Sequence, residues 1–196
     1  MRKILVLPFL LLTVCVFAQD RVILGTFEQE TAESENFLLS SESSQSGYGL
    51  RFYNFKEWGF YYGGSLAQLS GERDLCAPIS CVTVDISATT FSAEIGMDFG
   101  EWTPFAGASF SSAKDELSGI SYSEDAWSFS AGVWFKFDMF KIRGAMTNID
   151  NSDNQTIIGG FLYQMDNNYV LGAEVGMLLN ENVDGFTFSL QFGRAF

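Results

Sequence analysis

The stretch FTFSLQFGRAF, Phe186–Phe196, decides the fold. Phe186, Phe188, Leu190, Phe192 and Phe196 share one side of it with Arg194, while Thr187, Ser189, Gln191, Gly193 and Ala195 share the other. A two-residue period marks a β-strand, whose side chains alternate between the faces of a sheet. A helix would scatter these phenylalanines round its circumference. The chain has a formal net charge of -13, yet one face of this strand is greasy along its length. Such a face needs either a core or a lipid phase to cover it.

The same alternation recurs upstream. Segments near 21–27, 47–54, 58–70, 84–99, 102–112, 126–137, 140–148, 155–165, 168–179 and 186–196 make ten candidate strands. Their connections alternate in kind. NFKEW (54–58), FGEW (99–102), FDMF (137–140) and QMDNN (164–168) are short; 28–46, 71–83, 112–125, 149–154 and 180–185 are longer or more polar. Tight turns at one end and longer loops at the other are the mark of an up-and-down barrel in a membrane, where a tilted strand of about 9–11 residues spans the hydrocarbon. Closure follows from hydrogen bonding, because an open sheet edge in lipid leaves backbone groups unpaired. The expected fold is thus all-β, an antiparallel up-and-down transmembrane β-barrel of about ten strands. The segment at 21–27 is the weakest, and an eight-stranded version would require merging others.

The faces distinguish this barrel from a soluble one, which would show the same period. Over Ala126–Asp138, Trp127, Phe129, Ala131, Val133, Phe135 and Phe137 oppose Ser128, Ser130, Gly132, Trp134, Lys136 and Asp138. Large aromatics crowd the short turns (Trp58, Phe60, Phe99, Trp102, Phe135, Phe137, Phe140), where an interfacial girdle would lie. The other face is rich in Gly, Ser and Ala, as a narrow lumen requires.

The front of the chain reads as export machinery. Arg2 and Lys3 precede an almost wholly apolar run from Ile4 to Val14, and Val16-Phe17-Ala18 offers a small residue for cleavage. Residues 1–18 are expected to be a signal peptide and 19–196 the barrel domain. Cys15, in LTVC, opens a lipoprotein alternative that Val14 before it disfavours. Without the leader, the 11 basic residues lose Arg2 and Lys3, and 24 acidic residues leave the chain formally at -15. Nucleic acid is excluded as a partner, since phosphates require a basic surface. Cys76 and Cys81, in CAPISC, read as a local disulfide of an exported chain. Zinc fails on ligand count, because the chain has no histidine.

At this point a resemblance enters. FTFSLQFGRAF, with Phe186, Phe188, Leu190, Phe192 and the final Phe196, resembles the C-terminal recognition strand of Gram-negative outer-membrane proteins. The resemblance implies recognition by the barrel-insertion machinery and residence in the cell outer membrane. Arg194 stands where that pattern carries an apolar residue, and it is expected to snorkel to the periplasmic headgroups. The hairpin YGLRFYNFKEWGFYYGGSLAQLSGE (48–72) resembles the early strands of the small OmpX/Ail-type and opacity-type surface barrels, although ten strands exceed that family's eight.

Chemistry is read mostly by elimination. With no histidine, the bases left are carboxylates or a lysine, so no enzyme, cofactor or metal site is expected. The better constellation is Arg51, Glu94, Arg143 and Glu174, all on the small-residue side and near the short turns. Charge inside a narrow barrel must be paired or wetted, so these four are expected to form a lumen network that plugs or gates the barrel. The remaining acid is assigned to outer loops: Glu28, Glu30, Glu33, Glu35 and Glu42, then Asp115, Glu116, Glu124, Asp125, Asp150, Asp153, Glu181 and Asp184. These loops suit outer-membrane lipid, lipopolysaccharide bridged through divalent cations, or a host or envelope surface partner. The expected function is a monomeric surface-interaction barrel; the alternative is a narrow pore or transporter for small solutes.

Overall fold

The computed structural model describes residues 21–36, 39–117, 119–180 and 182–196. The expected signal peptide, its cleavage point and Cys15 lie outside them, as does Glu181. Ten strands run through the described residues: β1 Arg21–Asn36, β2 Leu39–Asn54, β3 Gly59–Ala77, β4 Ser80–Asp98, β5 Trp102–Leu117, β6 Ile120–Phe137, β7 Phe140–Thr147, β8 Thr156–Gln164, β9 Tyr169–Leu178 and β10 Val183–Ala195. Each pairs antiparallel with the next, and β10 pairs with β1 to close the barrel. Pairing followed round the wall from Arg21 returns to β1 at Thr31, the stagger that tilts the strands and lets the sheet close.

Each pair keeps one register throughout, with no residue skipped, so a side chain's parity assigns it to lumen or exterior along the whole strand. The exterior is apolar from the short-turn rim up to Tyr48, Leu66, Phe91, Phe110 and Trp127. From Phe137 to Trp127 on β6 is about 33 Å along the strand, or about 25 Å after a tilt of roughly 40°, the height of a barrel's lipid band. The girdle residues Trp58, Phe60, Phe99, Trp102, Phe135, Phe137 and Phe140 are all exposed at the short-turn end.

The walls differ in height, which corrects the expected loops. Segments 28–46, 71–83 and 112–125 are largely strand: β1–β2, β3–β4 and β5–β6 continue as tall hairpins well above the lipid band. Once clear of lipid, a polar strand meets no solvation cost, and its backbone stays satisfied by continuing the ladder. β7, β8 and β9 stop lower. Pairing between β6 and β7 reaches only Ser130 and Thr147. There the loop 148–155 seals the ladder, with Ile149 N donating to Phe129 O (3.1 Å) and Asp150 Oδ1 accepting from Phe129 N (3.0 Å). Above that point, among the described residues, β6 has no strand on its β7 side.

In the tall β3–β4 and β5–β6 hairpins the alternation inverts. Outside the barrel the strands turn hydrophilic, with Glu72, Asp74, Asp85, Glu116 and Asp125, while Val84 and Ile86 lie buried on the inner face. At the tip of β3–β4, Cys76 and Cys81 are directly paired in the ladder and joined in a disulfide. The bond closes only a short loop already held by pairing, so Cys76→Ser/Cys81→Ser is expected to leave the barrel folded. Unboiled protein should still migrate as the compact form in SDS gels.

Candidate functional site

The site is the lumen, built in three layers above the short-turn end. The lowest is apolar: Val22, Leu24, Tyr53, Phe55, Tyr61, Phe105, Trp134, Leu162 and Val170 are buried together. Phe55 belongs to the short β2–β3 turn and folds its ring into the mouth, against Tyr53, Tyr61 and Trp134. Trp134 is 0% and Tyr61 1% exposed, so neither ring faces open water. At the rim below, the fully buried Asp98 carboxylate accepts from Lys136 Nζ (2.7 and 2.6 Å) and from Gly100 N (2.9 Å). Gly100 has φ +88°, a conformation glycine adopts without a Cβ clash, so the short β4–β5 turn is tied to the wall.

The second layer is ionic. Arg51, Glu94, Arg143 and Glu174, from β2, β4, β7 and β9, meet across the lumen. Arg143 donates to Glu94 and to Glu174 (3.2 Å), while Arg51 donates to Glu174 and to Glu28 (3.2 Å). The aromatic layer reaches up to join it: Trp134 Nε1 donates to Tyr61 Oη (3.1 Å), which donates to Glu94 (2.7 Å). The Arg143 guanidinium also lies over the Phe105 and Trp134 rings, 5.0 and 5.7 Å from their centroids. Low dielectric strengthens each contact and makes every unpaired partner costly.

Above lies a cavity of 360 Å³ that opens outward. Small hydroxyls line it and bond across strands: Ser65 with Ser92 (2.7 Å), Ser109 with Ser128 (2.6 Å), Thr90 with Ser111 (3.2 Å). The four expected charges form its floor. Glu28, expected in an outer loop, instead faces the lumen from β1 and joins that floor through Arg51 and Thr26.

Sequence reading missed the aromatic layer. Its signal was present: Arg51, Tyr53 and Phe55 share one parity, and Tyr61 and Trp134 fall on otherwise small-residue faces near short turns. On β10, Ser189 and Gln191 face the lumen and are buried, while Phe186, Phe192 and Phe196 face out. Arg194 lies on the exterior at the short-turn rim, with its guanidinium near the Tyr169 and Phe196 rings (5.9 and 5.8 Å). Asp115 and Glu116, expected in an outer loop, sit on β5 in ion pairs at 3.0 Å, the half-buried Arg73–Asp115 and the exposed Lys114–Glu116. Among the described residues no cluster of acidic and cysteine side chains could hold a metal ion.

Together the fold and the filled lumen define a transmembrane β-barrel of the bacterial outer-membrane type. No protein-family model and no curated protein matches the chain. Among solved structures, it is similar to the transport unit of the autotransporter AIDA-I from Escherichia coli (TM-score 0.56, 8% identity, 94% of this chain and 94% of that one). It is also similar to the translocator domain of the autotransporter NalP from Neisseria meningitidis (TM-score 0.54, 7% identity, 96% and 93%). The attachment invasion locus protein Ail of Yersinia pestis matches at 17% identity with TM-score 0.46, over 90% of this chain and 97% of that one. The likeness to the two autotransporter barrels is one of fold.

Proposed function

We propose that this protein is a plugged outer-membrane anchor that presents a tall, acidic wall for interaction with a surface partner. The carrying observation is the contrast between the two ends of the lumen. The periplasmic half is filled by aromatic rings beneath a four-residue ionic layer, while the outer half opens beneath three hairpins that rise clear of the lipid. A barrel built to conduct keeps its lumen wet throughout. No catalytic step is assigned to it. In this reading residues 1–18 direct export, Phe186, Phe188, Leu190, Phe192 and Phe196 are read by the insertion machinery, and the barrel works as a monomer among lipopolysaccharide and lipid.

The rival is a narrow pore, and the outward cavity of 360 Å³ favours it. It requires Phe55, Tyr61 and Trp134 to leave the lumen. Liposome swelling separates the two. Proteoliposomes are expected to swell in small sugars no faster than empty liposomes, and sugar-size-dependent swelling would make the pore the better reading.

A further inference from the structure

In lipid, these strands are apolar outside and, above the aromatic layer, polar inside; above the lipid, β3–β6 reverse that order. On the inner face of the tall half-cylinder lie Val82, Val84, Ile86, Leu117, Ile120 and Tyr122. Val84 and Ile86 are buried at its base, under the Arg73–Asp115 ion pair. Ile120 and Tyr122 stand 78% and 68% exposed, an unusual place for large apolar groups in so acidic a chain. The trough also opens sideways, where among the described residues β6 has no strand on its β7 side above Phe129.

Charge says what would fill it. Of the basic residues described, only Arg73 and Lys114 lie in the parts of these hairpins that rise above the lipid band, and both are held in ion pairs, with Asp115 and Glu116. Glu30 on β1 and Glu124 on β6 face inward from opposite sides of the half-cylinder, both exposed and, among the described residues, with no ion-pair partner. An anionic lipid headgroup would meet repulsion here, and so would a second copy of a chain at formal net charge -13. A segment that brings both apolar side chains and positive charge satisfies both features.

We propose that the inner face of the tall hairpins is a docking trough for a cationic amphipathic polypeptide segment, with Ile120 and Tyr122 as apolar anchors and Glu30 and Glu124 as flanking charges. This deepens the surface-interaction reading and rests on it.

The test uses the full barrel in phosphatidylcholine nanodiscs and a short labelled peptide alternating lysine and valine, read by fluorescence anisotropy against empty discs. Binding should exceed that of empty discs and weaken as salt rises. Ile120→Ser/Tyr122→Ser should weaken it about tenfold or more. Glu30→Gln/Glu124→Gln should weaken it several-fold and flatten its salt dependence. All four side chains are exposed, and unchanged heat-dependent gel mobility would show the variants folded. Equal binding by wild type, variants and empty discs would overturn the proposal as lipid adsorption. Stronger binding of the glutamate–valine counterpart would overturn the partner's charge but leave a surface role intact. Discs that pair through this face, and cease to do so in Ile120→Ser/Tyr122→Ser, would make a second copy the occupant and also overturn it. Solute-dependent swelling, by contrast, would overturn the parent reading whatever the peptide does.

Discussion

Arg143→Met is expected to destabilise the folded barrel by about 3–5 kcal/mol, the usual cost of stripping one partner from a buried ionic cluster. Arg143 is the member that touches both carboxylates, donating to Glu94 and to Glu174, and its guanidinium stacks near Phe105 and Trp134. Methionine keeps the bulk but leaves Glu94, 8% exposed, with only the Tyr61 hydroxyl. Glu174 retains Arg51, so most of the penalty should fall on Glu94. Adding Glu94→Gln should therefore recover a good part of the loss. Urea unfolding from lipid vesicles, followed by tryptophan fluorescence, checks this. A shift under about 1 kcal/mol would mean that water solvates the cluster, as at exposed ion pairs.

The second large effect is expected at the seam. An alanine Cβ at Gly193 would lie 1.8 Å from the carbonyl oxygen of Ile23, a backbone atom fixed by the β1–β10 ladder. That oxygen cannot retreat without breaking the pairing of the two strands most distant in sequence. Gly193→Ala should cost about 1–3 kcal/mol or more and lower the yield of folded barrel. Gly144→Ala and Gly159→Ala are the controls, because a Cβ at either position meets nothing within 4 Å. Heat-dependent gel mobility after refolding reads all three. Wild-type yield for Gly193→Ala would show that the seam is looser than the structure has it.

Much of the barrel was legible from the period-two pattern. In Phe186–Phe196 and Ala126–Asp138 the apolar parity named the lipid face, and the ten segments correspond to the ten strands among the described residues. Arg51, Glu94, Arg143 and Glu174 could be found because a charge on a small-residue face has few places to go. Strand height was harder to read. In 71–86 the alternation persists, Arg73 and Leu75 against Glu72 and Asp74, then Val82, Val84 and Ile86 against Thr83 and Asp85, but in inverted phase. Acid density masks that signal if lipid is assumed to lie outside. Over 40–46, SSESSQS carries no apolar alternation at all. It is strand because β1 and β3 pair with it on either side, and tertiary pairing overrides weak local preference. The aromatic layer was obscured for another reason. Tyr53, Phe55 and Tyr61 sit among a crowd of aromatics near the short turns, and parity alone sorts plug from girdle.

Planar-bilayer conductance tests the central claim, a plugged anchor, most directly. Wild-type protein is expected to add no steady ionic current after insertion. Tyr61→Ala/Trp134→Ala, which empties the centre of the aromatic layer, should yield stepwise channels and so prove that insertion is being seen. Steady ohmic steps from the wild type itself, of a size matching the variant's, would contradict the account.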